Sequence, residues 1–150
     1  MLNIKVLILE NEHDLSSLAI SLKNRVKNII LVKDSKEAIS IMENTDIDIV
    51  LTDLEPYIAD SIEVVRYAIN HHTPIIPAVI VSKYKEFLKE WKGIPYIRVL
   101  HKPYNPDILY ENIVNVLQKS DDDLSENYCD TINDICNSAE TLLQTLNNNY

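Results

Sequence analysis

The residues able to do chemistry together stand at the ends of apolar runs. Glu10, Asn11 and Glu12 follow IKVLIL, and Asp53 closes DIVLTD. Ser82 follows AVIV, and His101, Lys102 and Pro103 follow PYIRVL. A lone aspartate after a strand is ordinarily a helix cap or a turn former. The whole set is harder to read as caps, because lysine caps poorly. Clustered carboxylates can hold Mg²⁺ through hard oxygens. One carboxylate can attack phosphorus while the metal and a lysine neutralise the equatorial oxygens, and a hydroxyl can bond one of them. The chemistry such a set could do is therefore phosphoryl transfer to Asp53, with Ser82 and Lys102 assisting.

Convergence of these residues depends on the elements that carry them. Strands are expected at 4–9, 28–32, 47–51, 78–81 and 95–100. Helical spacing links Leu15, Leu18, Ala19, Leu22 and Val26, then Ala38, Ile39, Ile41 and Met42, then Ile62 to Ile69. Phe87, Leu88 and Trp91 mark a fourth helix, and Ile108, Leu109, Ile113, Val114 and Leu117 a fifth. The strands are apolar on both faces. This (βα)5 alternation predicts an α/β fold, a doubly wound five-stranded parallel sheet of the flavodoxin type with helices on both faces. Sites in such sheets form outside the carboxyl ends of the strands, near the topological switch point.

KVLILENE, DIVLTDLEP, PAVIVS and HKP, in this order and at these separations, resemble the response-regulator receiver domain, the CheY-like fold, over residues 1–119. The resemblance implies a two-component signalling receiver, not an enzyme, that accepts a phosphoryl group on Asp53 from a histidine kinase or a phosphotransfer protein. It implies that Ser82 contacts the phosphoryl group and that Lys102 pairs with Asp53. It implies Mg²⁺ held by Glu10, Asn11, Asp53 and the backbone carbonyl of Glu55. It also implies a cis peptide between Lys102 and Pro103.

The chain departs from that pattern in several places. Asn11 stands where the family carries an aspartate, which removes a charge from the metal site and should weaken it. Lys83 replaces a small residue, to shield the site or simply to be solvated. Pro56 comes one residue early, and the whole chain has one glycine. Val99 stands where many receivers carry an aromatic. The alternative reading is a pseudo-receiver, a protein-interaction or dimerisation module that works without an aspartyl phosphate.

Composition narrows the rest. The net charge is −9. Residues 121–150 hold seven acids and no Lys or Arg, so the remainder is nearly neutral with 16 acids against 14 bases. Such a chain lacks the basic face that direct nucleic-acid binding needs. It contains no run long enough for a membrane span and no basic leader, so the expected place is the cytoplasm. His71 and His72 are adjacent and diverge on a helix, so they cannot chelate as a pair.

Residues 120–150 form an acidic extension. Tyr128, Ile132, Ile135, Ala139, Leu142 and Leu146 recur at 4, 3, 4, 3, 4, a heptad stripe. An isolated helix of this kind is marginal. It should pair with its copy, giving a homodimer through 124–146, or fold back on the preceding domain; the dimerising or signalling helix is the expectation. The face running from the fourth helix to the fifth, with Lys83, Lys85, Lys89 and Lys92 nearby, is the other candidate for dimer or partner contacts. Cys129 and Cys136 should be reduced thiols too far apart to bridge.

Overall fold

The computed structural model describes residues 1–10, 17–54, 58–118 and 124–148. Five strands, β1 (Leu2–Leu9), β2 (Val26–Val32), β3 (Ile49–Asp53), β4 (Ala78–Ser82) and β5 (Ile97–His101), form one sheet in the order β2-β1-β3-β4-β5. All four pairings are parallel. Between and after them lie α1 (Ser17–Leu22), α2 (Ser35–Asn44), α3 (Ile58–Arg66), α4 (Lys85–Lys89), α5 (Pro106–Gln118) and α6 (Tyr128–Asn148). A π-helical turn, Tyr67–His71, continues α3. The α/β architecture expected from the alternation is present. No helix among the described residues is long and apolar enough to cross a membrane.

Period-two alternation sorts the strand side chains into two layers. Val6, Ile8, Ile49, Leu51, Val79 and Val81 face α1 and α5, where Leu18, Leu22, Leu109, Ile113 and Val116 meet them. Leu7, Leu9, Val32 and Val50 face the other way, onto Ala38 and Met42 of α2, Val64 of α3 and Ala68 of its π-helical continuation. Local signals start two of the helices. The Asp34 carboxylate accepts from Glu37 N at 2.8 Å and caps α2. Asn105 Oδ1 accepts from Asp107 N at 2.8 Å, and Pro106 takes the first helical position of α5, where its missing N–H costs nothing.

Several boundaries differ from expectation. Val26 opens β2 and is not the end of a helix; within the described residues α1 ends at Leu22. The third strand runs two residues later than its apolar run, so Asp53 is its last residue. The fourth helix is a single turn, and Trp91 lies beyond it with its side chain buried all the same. Lys83, Lys85, Lys89 and Lys92 are exposed.

The largest correction concerns the acidic extension. Its stripe from Tyr128 to Ala139 folds back on the preceding domain, the other of the two expected outcomes. Tyr128, Ile132, Ile135, Cys136 and Ala139 of α6 are buried in one cluster with Ile62, Val65 and Ile69 of α3 and its continuation, Phe87 and Leu88 of α4, and Trp91. Polar contacts flank the seam. Arg66 pairs with Glu140 at 3.1 Å, and Asn70 Nδ2 donates to the Cys129 carbonyl at 3.1 Å and to Asn133 Oδ1 at 3.2 Å. The physical reason is supply: α3 and α4 bring apolar side chains that α1, α2 and α5 do not reach, and α6 brings the complement. The Leu146 side chain lies outside the described residues.

Ile132 is fully buried in this seam. Ile132→Ala should lower the unfolding free energy by about 2–5 kcal/mol, read from urea denaturation, and a wild-type midpoint would show that α6 contributes little. Both cysteines are free, Cys129 exposed and Cys136 buried. Burial pushes the Cys136 thiol up to about 11 from 9.0, partly opposed by Arg66. The neutral thiol is therefore favoured in the fold, so its contribution is complete below the unfolded value and lost as pH rises through the folded one. Stability should fall between these two values more steeply for the wild type than for Cys136→Ala. In native protein a thiol reagent should label Cys129 alone.

Candidate functional site at the carboxyl edge of the sheet

Order reverses between β1 and β3, since β2 lies on one side of β1 and β3 to β5 on the other. This is the switch point, and the expected residues stand at its mouth. Leu9 pairs with Thr52, which puts Glu10 level with Asp53 on the neighbouring strand. Asp53 pairs with Val81, so Ser82 is one residue further along. Val81 pairs with Leu100, so Lys102 is two residues further along and must curl back to reach Asp53.

It does reach. Lys102 Nζ lies 2.5 Å from Asp53 Oδ2, with side chains 29% and 13% exposed. The pair is thus partly shielded from water, where attraction is stronger than at an open surface. The lysine is held from behind, because its backbone N donates to the Ser82 carbonyl at 2.9 Å. The Lys102–Pro103 peptide is cis, as expected. Ser82 is fully buried, and its Oγ accepts from Tyr84 N at 3.0 Å. Glu10 Oε1 accepts from Leu18 N at 3.3 Å, tying the end of β1 to α1.

Lys83 directly follows Ser82 and is exposed. Its ammonium lies 5.2 Å from the centre of the Tyr84 ring, and its carbonyl is 3.1 Å from His101 Nε2. Asn11, Glu12, Glu55 and Pro56 lie outside the described residues. Among the described residues no three His, Cys, Asp or Glu side chains gather as a metal cluster. Glu10 and Asp53 supply two carboxylates at the ends of adjacent strands, the hard-oxygen donor type that fits Mg²⁺, which commonly uses one or two carboxylates and keeps several waters.

Two residues of this region escaped the reading of the sequence. Thr52 Oγ1 donates to Ser61 Oγ at 2.6 Å, and Ser61 Oγ donates to the Asp53 backbone carbonyl at 3.2 Å. Both side chains belong to fully buried residues. The available signal was a hydroxyl at Ser61 on the otherwise apolar face made by Ile62 and Val65, which in a helix is easily passed over as neutral.

No family model matches the chain, and no curated protein matches it. Solved structures do. The receiver domain of the Francisella response regulator 1452 is 20% identical, with 77% of this chain and 98% of that one covered and a TM-score of 0.62. The receiver domain of the Pseudomonas aeruginosa sensor histidine kinase PA1611, solved with magnesium coordinated in its active-site cleft, is 17% identical over 79% of this chain and all of that one, with a TM-score of 0.63. The chemotaxis response regulator CheY4 of Vibrio cholerae is 18% identical over 77% and 99%, with a TM-score of 0.61. The chain has the receiver-domain fold.

Lys102→Met would leave the Asp53 carboxylate shielded without its cation. With the pair partly exposed, the loss should be about 1–2 kcal/mol, less than for a fully buried pair. Adding Asp53→Asn to Lys102→Met should recover most of it, as measured by urea unfolding of the four proteins in the cycle.

Proposed function

We propose that this chain is a phosphoryl-accepting receiver of a two-component signalling system, with Asp53 as the acceptor. The observation that carries the reading is the Asp53–Lys102 ion pair at the switch point, with Ser82 and Glu10 on the strands either side. A carboxylate held beside a cation, at the mouth of a sheet and 13% exposed, is an available nucleophile.

The donor would be a phosphohistidine on a histidine kinase or a phosphotransfer protein. An Asp53 carboxylate oxygen attacks phosphorus in line with the departing imidazole. The new P–O bond forms as the P–N bond breaks, and the imidazole leaves with the electron pair and takes up a proton. Lys102 transfers part of its pairing from Asp53 to the phosphoryl oxygens, where charge accumulates. Ser82 turns its O–H to one of those oxygens. Glu10 and Asp53 would hold Mg²⁺, with Asn11 and the Glu55 carbonyl as the expected further ligands. When bound, the metal supplies charge neutralisation at the phosphoryl oxygens. Asn11 carries no charge, so the affinity for Mg²⁺ should be low.

The protein is mixed with Mg²⁺ and a small phosphodonor, or with beryllofluoride, and read by intact-mass spectrometry or fluorine NMR. An adduct on Asp53 is expected, absent in Asp53→Asn and slowed in Lys102→Ala. Glu10→Gln should raise the half-saturating Mg²⁺ concentration by about tenfold, since ligand charge tunes affinity. No adduct on the wild type at millimolar Mg²⁺ would overturn the reading and leave a phosphorylation-independent interaction module in its place.

A further inference from the structure

The geometry points to Ser61 as a positioning residue for Asp53, acting through a buried hydroxyl relay with Thr52. The inference rests on Asp53 being the acceptor and adds the group that sets its orientation.

The direction of the relay follows from donor counting. A carbonyl oxygen can only accept, and a serine has one hydroxyl proton. The contact from Ser61 to the Asp53 carbonyl therefore commits that proton. Thr52 must then donate to Ser61 Oγ, as its 2.6 Å separation allows. Neither hydroxyl reaches solvent, so water does not compete for either bond.

The carbonyl in question belongs to the peptide joining Asp53 to Leu54. The other end of that peptide is also held: Leu54 N donates to the Val81 carbonyl at 2.9 Å. One peptide plane is thus fixed from α3 on its oxygen side and from β4 on its nitrogen side. Fixing the plane fixes ψ of Asp53 relative to the strand, and so the direction in which its side chain leaves the backbone. Lys102 then grips the carboxylate from β5. Three elements converge on one residue at the point where the strand ends. Rigid support of this kind matters for a nucleophile, because small misplacements of reacting atoms carry large rate penalties.

The alternative is a relay that merely satisfies two buried hydroxyls. Kinetics separate the two. Phosphorylation of Asp53 by a small phosphodonor with saturating Mg²⁺ is followed by mass spectrometry for the wild type, Ser61→Ala, Ser61→Thr and the pair Thr52→Val with Ser61→Ala. Positioning predicts that Ser61→Ala lowers the maximal rate by about tenfold at an unchanged half-saturating donor concentration, the scale of one lost orienting hydrogen bond. Ser61→Thr, which keeps the donor, should restore most of the rate. The double variant leaves no hydroxyl unsatisfied, so it should regain stability yet keep the slow rate. A wild-type rate in Ser61→Ala, or a defect that vanishes in the double variant along with the instability, overturns the inference. A wild type that takes no phosphoryl group on Asp53 defeats the parent reading, and this inference with it.

Discussion

A carboxylate at the end of a strand buried on both faces has to be compensated close by, and much of the carboxyl edge follows from that requirement. Asp53 is only 13% exposed, so water alone is a weak remedy. The cation arrives from β5, two strands away, because parallel register lets Lys102 overshoot and turn back. The lysine is then anchored through its own backbone to β4. Compensation by a side chain from another strand makes the site a property of the whole sheet rather than of one loop.

The second half of the molecule answers a different demand. On the α1/α5 side of the sheet, two helices suffice to cover the strand residues. On the other side, α4 is a single turn and the chain after it has no regular helix to extend the cover. Phe87, Leu88 and Trp91 would stand half-open without a partner. The heptad stripe of α6 supplies that partner from within the same chain. A stripe spaced 4 and 3 fits a coiled-coil seam and a groove between two helices equally well, since both present apolar residues along one line.

This ambiguity shows what could be read from the sequence and what could not. The alternation of apolar runs and helical spacing was enough for the fold, because β3, β4 and the carboxyl half of β1 are buried on both faces and the helices between them on one. Asp53, Ser82, Glu10 and Lys102 were legible because their residue types interrupt apolar runs at strand ends. Val26 was misassigned because one apolar residue fits the end of a helix and the start of a strand alike. The partner of α6 was beyond local pattern, since periodicity reports that a face is buried but not against what. Ser61 was hidden for a related reason. It reaches a backbone carbonyl eight residues away, and no spacing rule encodes that contact.

The tail helix and the site are joined through the backbone that leads into β5. With one glycine in the chain, the turn before β5 uses it at Gly93, φ 76°, and then needs a second left-handed residue, Tyr96, at φ 67°. A bulky side chain there is strained by roughly 1–3 kcal/mol. Neighbouring bonds hold it in place: Tyr96 O accepts from Ala78 N at 2.9 Å, and the hydroxyl of Tyr128 on α6 donates to the Pro95 carbonyl at 2.5 Å. The start of β5 is therefore pinned by β4 on one side and by the first residue of α6 on the other. The far end of that same short strand delivers Lys102. In a chain this poor in glycine, α6 does more than cover an apolar face: it steadies the strained entry to the strand that carries the cation paired with Asp53.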